Sequence, residues 1–148
     1  PASRVATRGR TGQATLAELQ VWRSVMAPVP PRPTQLAQVL DAGGRLLSQR
    51  ELAALVSGNT LRGELPNGTP FTVYFAADGR KAVLLDGART EVRWYMDDDG
   101  RFCEESVARA RSHIGVDIYA CGGWYLLFDE DGRELERSQV VPGNPAGL

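Results

Sequence analysis

Few residues in this chain are of a type and spacing that does chemistry. His113 is the only histidine. It stands in a basic stretch with Arg109 and Arg111, and no nucleophile accompanies it at a spacing that would make it a general base. Glu104 and Glu105 are neighbours in a strand-like run, so they point to opposite faces and cannot act on one substrate. The acidic turns Asp97-Asp98-Asp99-Gly100 and Asp129-Glu130-Asp131-Gly132 suggest calcium. Yet a loop of the EF-hand type with Gly100 or Gly132 at its sixth position places Tyr95 or Leu127 at the first, where an oxygen ligand is required. Asp41-Ala42-Gly43-Gly44 lacks the lysine and hydroxyl of a phosphate loop. The expectation is a protein that is not an enzyme and uses neither metal nor cofactor.

Two further groups could bear on function. Cys103 and Cys121 allow one disulfide, which implies an oxidising compartment, periplasmic or secreted; two buried free thiols are the alternative. The strand aromatics Phe71, Phe75, Trp94, Trp124 and Phe128 either fill a core or line a pocket for a small apolar ligand, with Tyr95, Tyr119 and Tyr125 offering polar tips at a rim or outer face.

The elements that must position these residues follow from the turn signals. From Gly58 to Val141, short alternating runs are separated by Pro66-Asn67-Gly68, Asp78-Gly79, Asp86-Gly87, Asp97–Gly100, Gly122-Gly123 and Asp129–Gly132. Asn-Gly and Asp-Gly supply the positive φ that tight hairpins need. The strands are expected at 60–65, 71–75, 82–85, 91–96, 101–105, 114–118, 124–128 and 133–141. Turns this short join only antiparallel neighbours. The fold class is therefore mainly β, an eight-stranded antiparallel meander closing into a small barrel or strongly curled sheet, preceded by short helices. One helix is expected to start at Thr34, carry Leu36, Val39 and Leu40, and stop at Gly43-Gly44. A second carries the capping box Ser48-x-x-Glu51, an apolar face of Leu52, Leu55 and Val56, and Gly58 just past its end.

Residues 1–33 have a different character. Residues 1–35 hold five arginines against Glu18, a net charge of +4 in a chain whose total is −1. Leu16, Leu19, Trp22 and Met26 recur at three- and four-residue spacing and make one apolar stripe on a short helix. Pro28, Pro30, Pro31 and Pro33 impose a stiff, extended tether. The division expected is a basic arm, amphipathic helix and Pro-rich tether over 1–33, and a helix-capped barrel over 34–148. Arg4, Arg8 and Arg10 with the apolar stripe are the candidate partner-binding residues. No apolar run reaches the roughly 20 residues of a membrane helix. The acidic body does not suit nucleic acid. Beginning at Pro1, the sequence suits a protein that has lost a leader as well as one trimmed at that point.

Gly58-Asn59-Thr60 followed by Gly63, Tyr74-Phe75 before Asp78-Gly79, Trp94, Cys103 after an Asp-Gly turn, and Pro142-Gly143-Asn144-Pro145 form a pattern over about residues 51–145. It resembles an uncharacterised family of small exported bacterial proteins with a calycin-like β-barrel and paired cysteines. The resemblance implies fold and export, not a reaction. The function expected is a non-enzymatic interaction module that docks on a partner protein or a second copy through its arm. The alternatives are a carrier of a small apolar ligand in a calycin-like cavity, or an inhibitor of an envelope enzyme.

Overall fold

The computed structural model describes residues 34–105 and 113–148. Two short helices, α1 (Leu36–Asp41) and α2 (Gln49–Val56), flank a two-residue strand, β1 (Arg45–Leu46). Nine strands follow: β2 (Asn59–Glu64), β3 (Pro70–Phe75), β4 (Arg80–Leu85), β5 (Ala88–Met96), β6 (Phe102–Glu105), β7 (His113–Gly115), β8 (Ile118–Cys121), β9 (Trp124–Phe128) and β10 (Glu134–Val141). They form one antiparallel sheet in the order β1-β8-β9-β10-β2-β3-β4-β5-β6-β7. The mainly β, barrel-like antiparallel fold expected from the turn spacing is thus present.

The strand count rises from eight to ten for two local reasons. β1 is too short to carry an alternation of its own. The expected strand over 114–118 is divided, because β7 pairs with β6 while β8 pairs with β9. Only Val116 and Asp117 separate β7, at one end of the sheet, from β8, near the other. The three steps from Gly115 to Ile118 span at most about 11 Å, so the two ends are brought near each other and the sheet is strongly curled. Gln49, at the start of α2, ties this seam. Its Oε1 accepts the Phe102 N–H at 2.7 Å, and its Nε2 donates to the Val116 carbonyl and to Asp117 Oδ1.

The hairpins form where positive φ is available. Asp86 and Gly87 (φ 50° and 76°) turn β4 into β5, and Gly122 and Gly123 (59° and 80°) turn β8 into β9; positive φ at both central positions marks the type I′ turn that matches strand twist. Ser48 caps α2, its Oγ accepting the Glu51 N–H while Glu51 Oε2 accepts the Ser48 N–H. Leu52 and Val56 of that helix are buried in the core. At α1 the capping residue is Gln35, not the expected Thr34, whose hydroxyl instead accepts from Arg137 at 2.9 Å.

Gly58-Asn59-Thr60 locks three segments together. The Gly58 N–H donates to the Phe75 carbonyl, and the Asn59 amide joins the Leu55 carbonyl to the Gly143 N–H. Buried Thr60 donates to the Gly143 carbonyl. In this structure the motif is a clasp between α2, β3 and the turn after β10.

Alternation along the strands gives the sheet two apolar faces. The concave face gathers Leu61, Phe71, Val73, Phe75, Trp94, Phe102, Val116 and Ile118 around α2. The convex face buries Cys121 and Leu126 against Val39 of α1, with Tyr119, Trp124 and Phe128 alongside. Strand β9 reads Trp-Tyr-Leu-Leu-Phe without polar interruption because it serves both.

Candidate functional site

Inside the curl lies a cavity of about 140 Å³. Its wall is built from every second residue of adjoining strands: Leu61 on β2 and Leu65 beyond it, Phe71, Val73 and Phe75 on β3, Val83 and Leu85 on β4, Ile118 on β8 and Leu127 on β9. This period of two is the geometry of a strand with one face inward.

Three charged side chains enter the same wall: Lys81, Glu104 and Glu136. Lys81 shares the inward phase of Val83 and Leu85. From β4 it reaches across β5, so that its Nζ lies 2.6 Å from Glu104 Oε2 on β6 and 5.2 Å from the Phe75 ring centre. The side chains of this ion pair are only 13% and 20% exposed. Such a desolvated pair is held by its geometry and by the absence of water to compete for either partner. Glu136 comes from β10, opposite Leu127. Burial pushes its carboxyl above the ordinary range; Lys81 pulls it back down and Glu104 pushes it further up.

A β-bulge makes this arrangement possible. Pairing slips between Glu134 and Glu136, leaving Leu135 extra and 45% exposed. In a regular strand the two glutamates would share a face. Here Glu136 faces the cavity, whereas Glu134 goes to the convex side and makes a bidentate ion pair with Arg137, 2.6 Å at each contact. Arg137 also lies over Trp124, 5.9 Å from the ring centre.

Of the five aromatics expected at a pocket, Phe71 and Phe75 line the cavity. Trp94 is in the core beside it, stacked on Phe102 at 5.4 Å, with its indole N–H donating to the Ala76 carbonyl at 2.9 Å. Trp124 and Phe128 are on the convex face, because the β9 register turns Tyr125 and Leu127 inward instead. Lys81 and Glu136 were not anticipated, and Glu104 was weighed only as a neighbour of Glu105. The available signal was that Lys81 is the chain's single lysine and falls in step with Val83 and Leu85 once the third strand is begun two residues earlier.

The Cys103–Cys121 bridge is not made. Both cysteines are buried free thiols. Cys103 sits between Tyr95 and Gly115, its Sγ 3.7 Å from Asp97 Oδ2, whereas Cys121 packs under α1 near Val39 and Leu126. Each belongs to a different part of the convex face, so strand register keeps them apart. Burial raises both thiols above their usual pKa, and the Asp97 carboxylate adds to this at Cys103. With the thiols unbridged, export to the periplasm or medium rests on the family resemblance alone.

The acidic turns are used internally. Asp97 Oδ1 accepts the Asp99 and Arg101 N–H groups, and Asp129 Oδ1 accepts those of Asp131 and Arg133. Glu104 and Glu105 do face opposite ways, Glu105 lying in a polar surface groove with Asp78, Arg80, Glu91 and Arg93. Arg4, Arg8, Arg10, Leu16, Leu19, Trp22 and Met26 lie outside the described residues, as do Arg109 and Arg111. His113 is described only as backbone of β7.

No protein-family model matches this chain, and no curated protein is similar to it.

Proposed function

We propose that this chain is a non-enzymatic binding module that holds a small apolar or amphipathic molecule within its curled sheet. The observation that carries this reading is the cavity itself: an apolar wall contributed by several strands, interrupted by one compact group of charges. Pockets that bind small molecules combine an apolar lining with a few placed polar groups in this way. At about 140 Å³ the cavity is close to the size of one that holds benzene and well below a drug-sized pocket. The apolar part of the ligand is therefore one ring or a short alkyl chain.

Titration with benzyl alcohol, followed by amide chemical shifts, tests this. Perturbations are expected to centre on β2, β3, β4 and β9 and to disappear in Val83→Phe, which fills the space. A folded wild-type protein with no response at millimolar ligand, or a response confined to the convex face, overturns the reading.

Docking of residues 1–33 on a partner or second copy is a second proposal. It is supported by the junction at Thr34, which is 3% exposed, with its hydroxyl accepting from Arg137 and its carbonyl accepting the Glu134 N–H. Such a junction gives the arm a fixed point of departure. Removing residues 1–33 should change the assembly state measured by light scattering; an unchanged state together with a lowered melting temperature would mean that the arm serves its own body.

A further inference from the structure

We propose that the molecule held in this cavity is a cation: a small primary or secondary amine whose apolar group occupies the Phe71–Val83–Leu127 side and whose ammonium rests on Glu136. This rests on the ligand-binding reading above and adds the sign of the ligand's charge.

Among the described residues, the inner face carries two carboxylates and one ammonium. Lys81 is committed to Glu104 at 2.6 Å and lies over the Phe75 ring, so that pair is neutral as a unit. Glu136 is the remaining charge, and among the described residues it makes no hydrogen bond or ion pair. Lys81 attracts it and Glu104 repels it; among the described residues the other elements around it supply no counter-charge. β2 offers Leu61, and Leu65 follows it; β9 offers Leu127 and Tyr125, a neutral phenol whose ionisation burial disfavours. The β2–β10 and β9–β10 registers place Arg62, Glu64 and Arg137 on the opposite face. An anionic ligand would bring a further negative charge into a poorly solvated space that already holds two carboxylates. A neutral ligand would offer the ionised form of Glu136 no counter-charge. An ammonium supplies a charge-assisted hydrogen bond where low dielectric makes it strong.

Burial raises the Glu136 pKa, and an ammonium beside it favours the ionised carboxylate, so amine binding and ionisation of Glu136 are coupled. Affinity should therefore rise with pH through the range in which Glu136 ionises.

Three probes of matched ring size separate the possibilities: benzylamine, benzyl alcohol and benzoate, titrated into the wild-type protein by calorimetry near pH 7.5 and again near pH 5. Benzylamine is expected to bind on the order of ten-fold or more tighter than benzyl alcohol, with benzoate weakest. The amine preference should shrink at the lower pH, and proton release should appear as a dependence of the heat on buffer ionisation. Glu136→Gln should lose the amine preference, so that benzylamine binds it no more tightly than benzyl alcohol does. Equal binding of all three probes, or a benzoate preference, overturns the cation inference and leaves ligand binding intact. Failure of all three to bind a folded protein overturns ligand binding itself. The wild-type probe ranking and pH dependence decide the matter even if the variant does not fold.

Discussion

Replacing Gly63 by alanine probes the pairing that joins the two halves of the sheet. Gly63 lies on β2 between Ser138 of β10 and Phe71 of β3. A Cβ there would stand 2.0 Å from the Arg137 carbonyl oxygen, 2.8 Å from its carbonyl carbon and 2.8 Å from Phe71 Cζ. The Phe71 ring can swing, though only toward the cavity it lines. The carbonyl belongs to a strand paired on both sides and has nowhere to go. Overpacking relieved by side chains costs about 1–3 kcal/mol. Here relief requires parting β10 from β2, and each ladder hydrogen bond lost adds about 1 kcal/mol. The expected loss is about 3 kcal/mol or more, against a total stability for such a domain of roughly 5–15 kcal/mol. Gly115→Ala is the internal control. It is also a strand glycine, but its added Cβ meets nothing within 4 Å, so a change within about 0.5 kcal/mol is expected. Urea unfolding gives the two free energies, and amide exchange at Arg62 and Gln139 reports on the β2–β10 ladder. Gly63→Ala unfolding within 0.5 kcal/mol of wild type, with those amides equally protected, would refute the register.

Ser48→Ala removes the hydroxyl that caps α2 and should destabilise the fold by about 1 kcal/mol in the same urea assay, with Ser48→Asp restoring most of it. Glu136 carries a carboxyl pKa raised by folding above its ordinary 4.5. The folded state therefore binds the extra proton, and the contribution of Glu136 to stability is full below the ordinary value and is lost as pH rises through the folded one. Wild type and Glu136→Gln should match in acid, and the variant should become the more stable as pH rises; parallel melting curves across pH would contradict this. Both cysteines should resist alkylation in the native protein and both should react after unfolding without reductant. A protein that stays unmodified when unfolded would contain the bridge.

Much of the frame could be read from the chain because it is written locally. Asp86-Gly87 and Gly122-Gly123 fix hairpins through their own backbone preferences, and Ser48 with Glu51 fixes the start of α2. The site was harder to read because it depends on relations between distant residues. The bulge at Leu135 reverses the phase of β10, so Glu134 and Glu136, two apart in sequence, end on opposite faces. Trp124 and Phe128 looked like pocket residues in an unbroken apolar run, and nothing local says which face of β9 turns inward. The division of 114–118 into β7 and β8 answers to the closing of the sheet rather than to any turn residue there. Cysteine spacing was equally silent about faces and neighbours.

The pairing of β10 with β2 also dictates when this protein can finish folding. Thr60 pairs with Val141 and Glu64 with Arg137, so β2 waits for a partner that leaves the ribosome more than seventy residues later. The β2–β5 meander is local and can pair early, whereas contacts of such long separation form slowly. Through that interval β2 presents an open edge and the inner face has no opposing wall. The cavity, with Glu136 on its last-made wall, comes into being only once the final strand is in place. A chain truncated before β10 would have no site, and its unpaired edge would invite pairing with other chains.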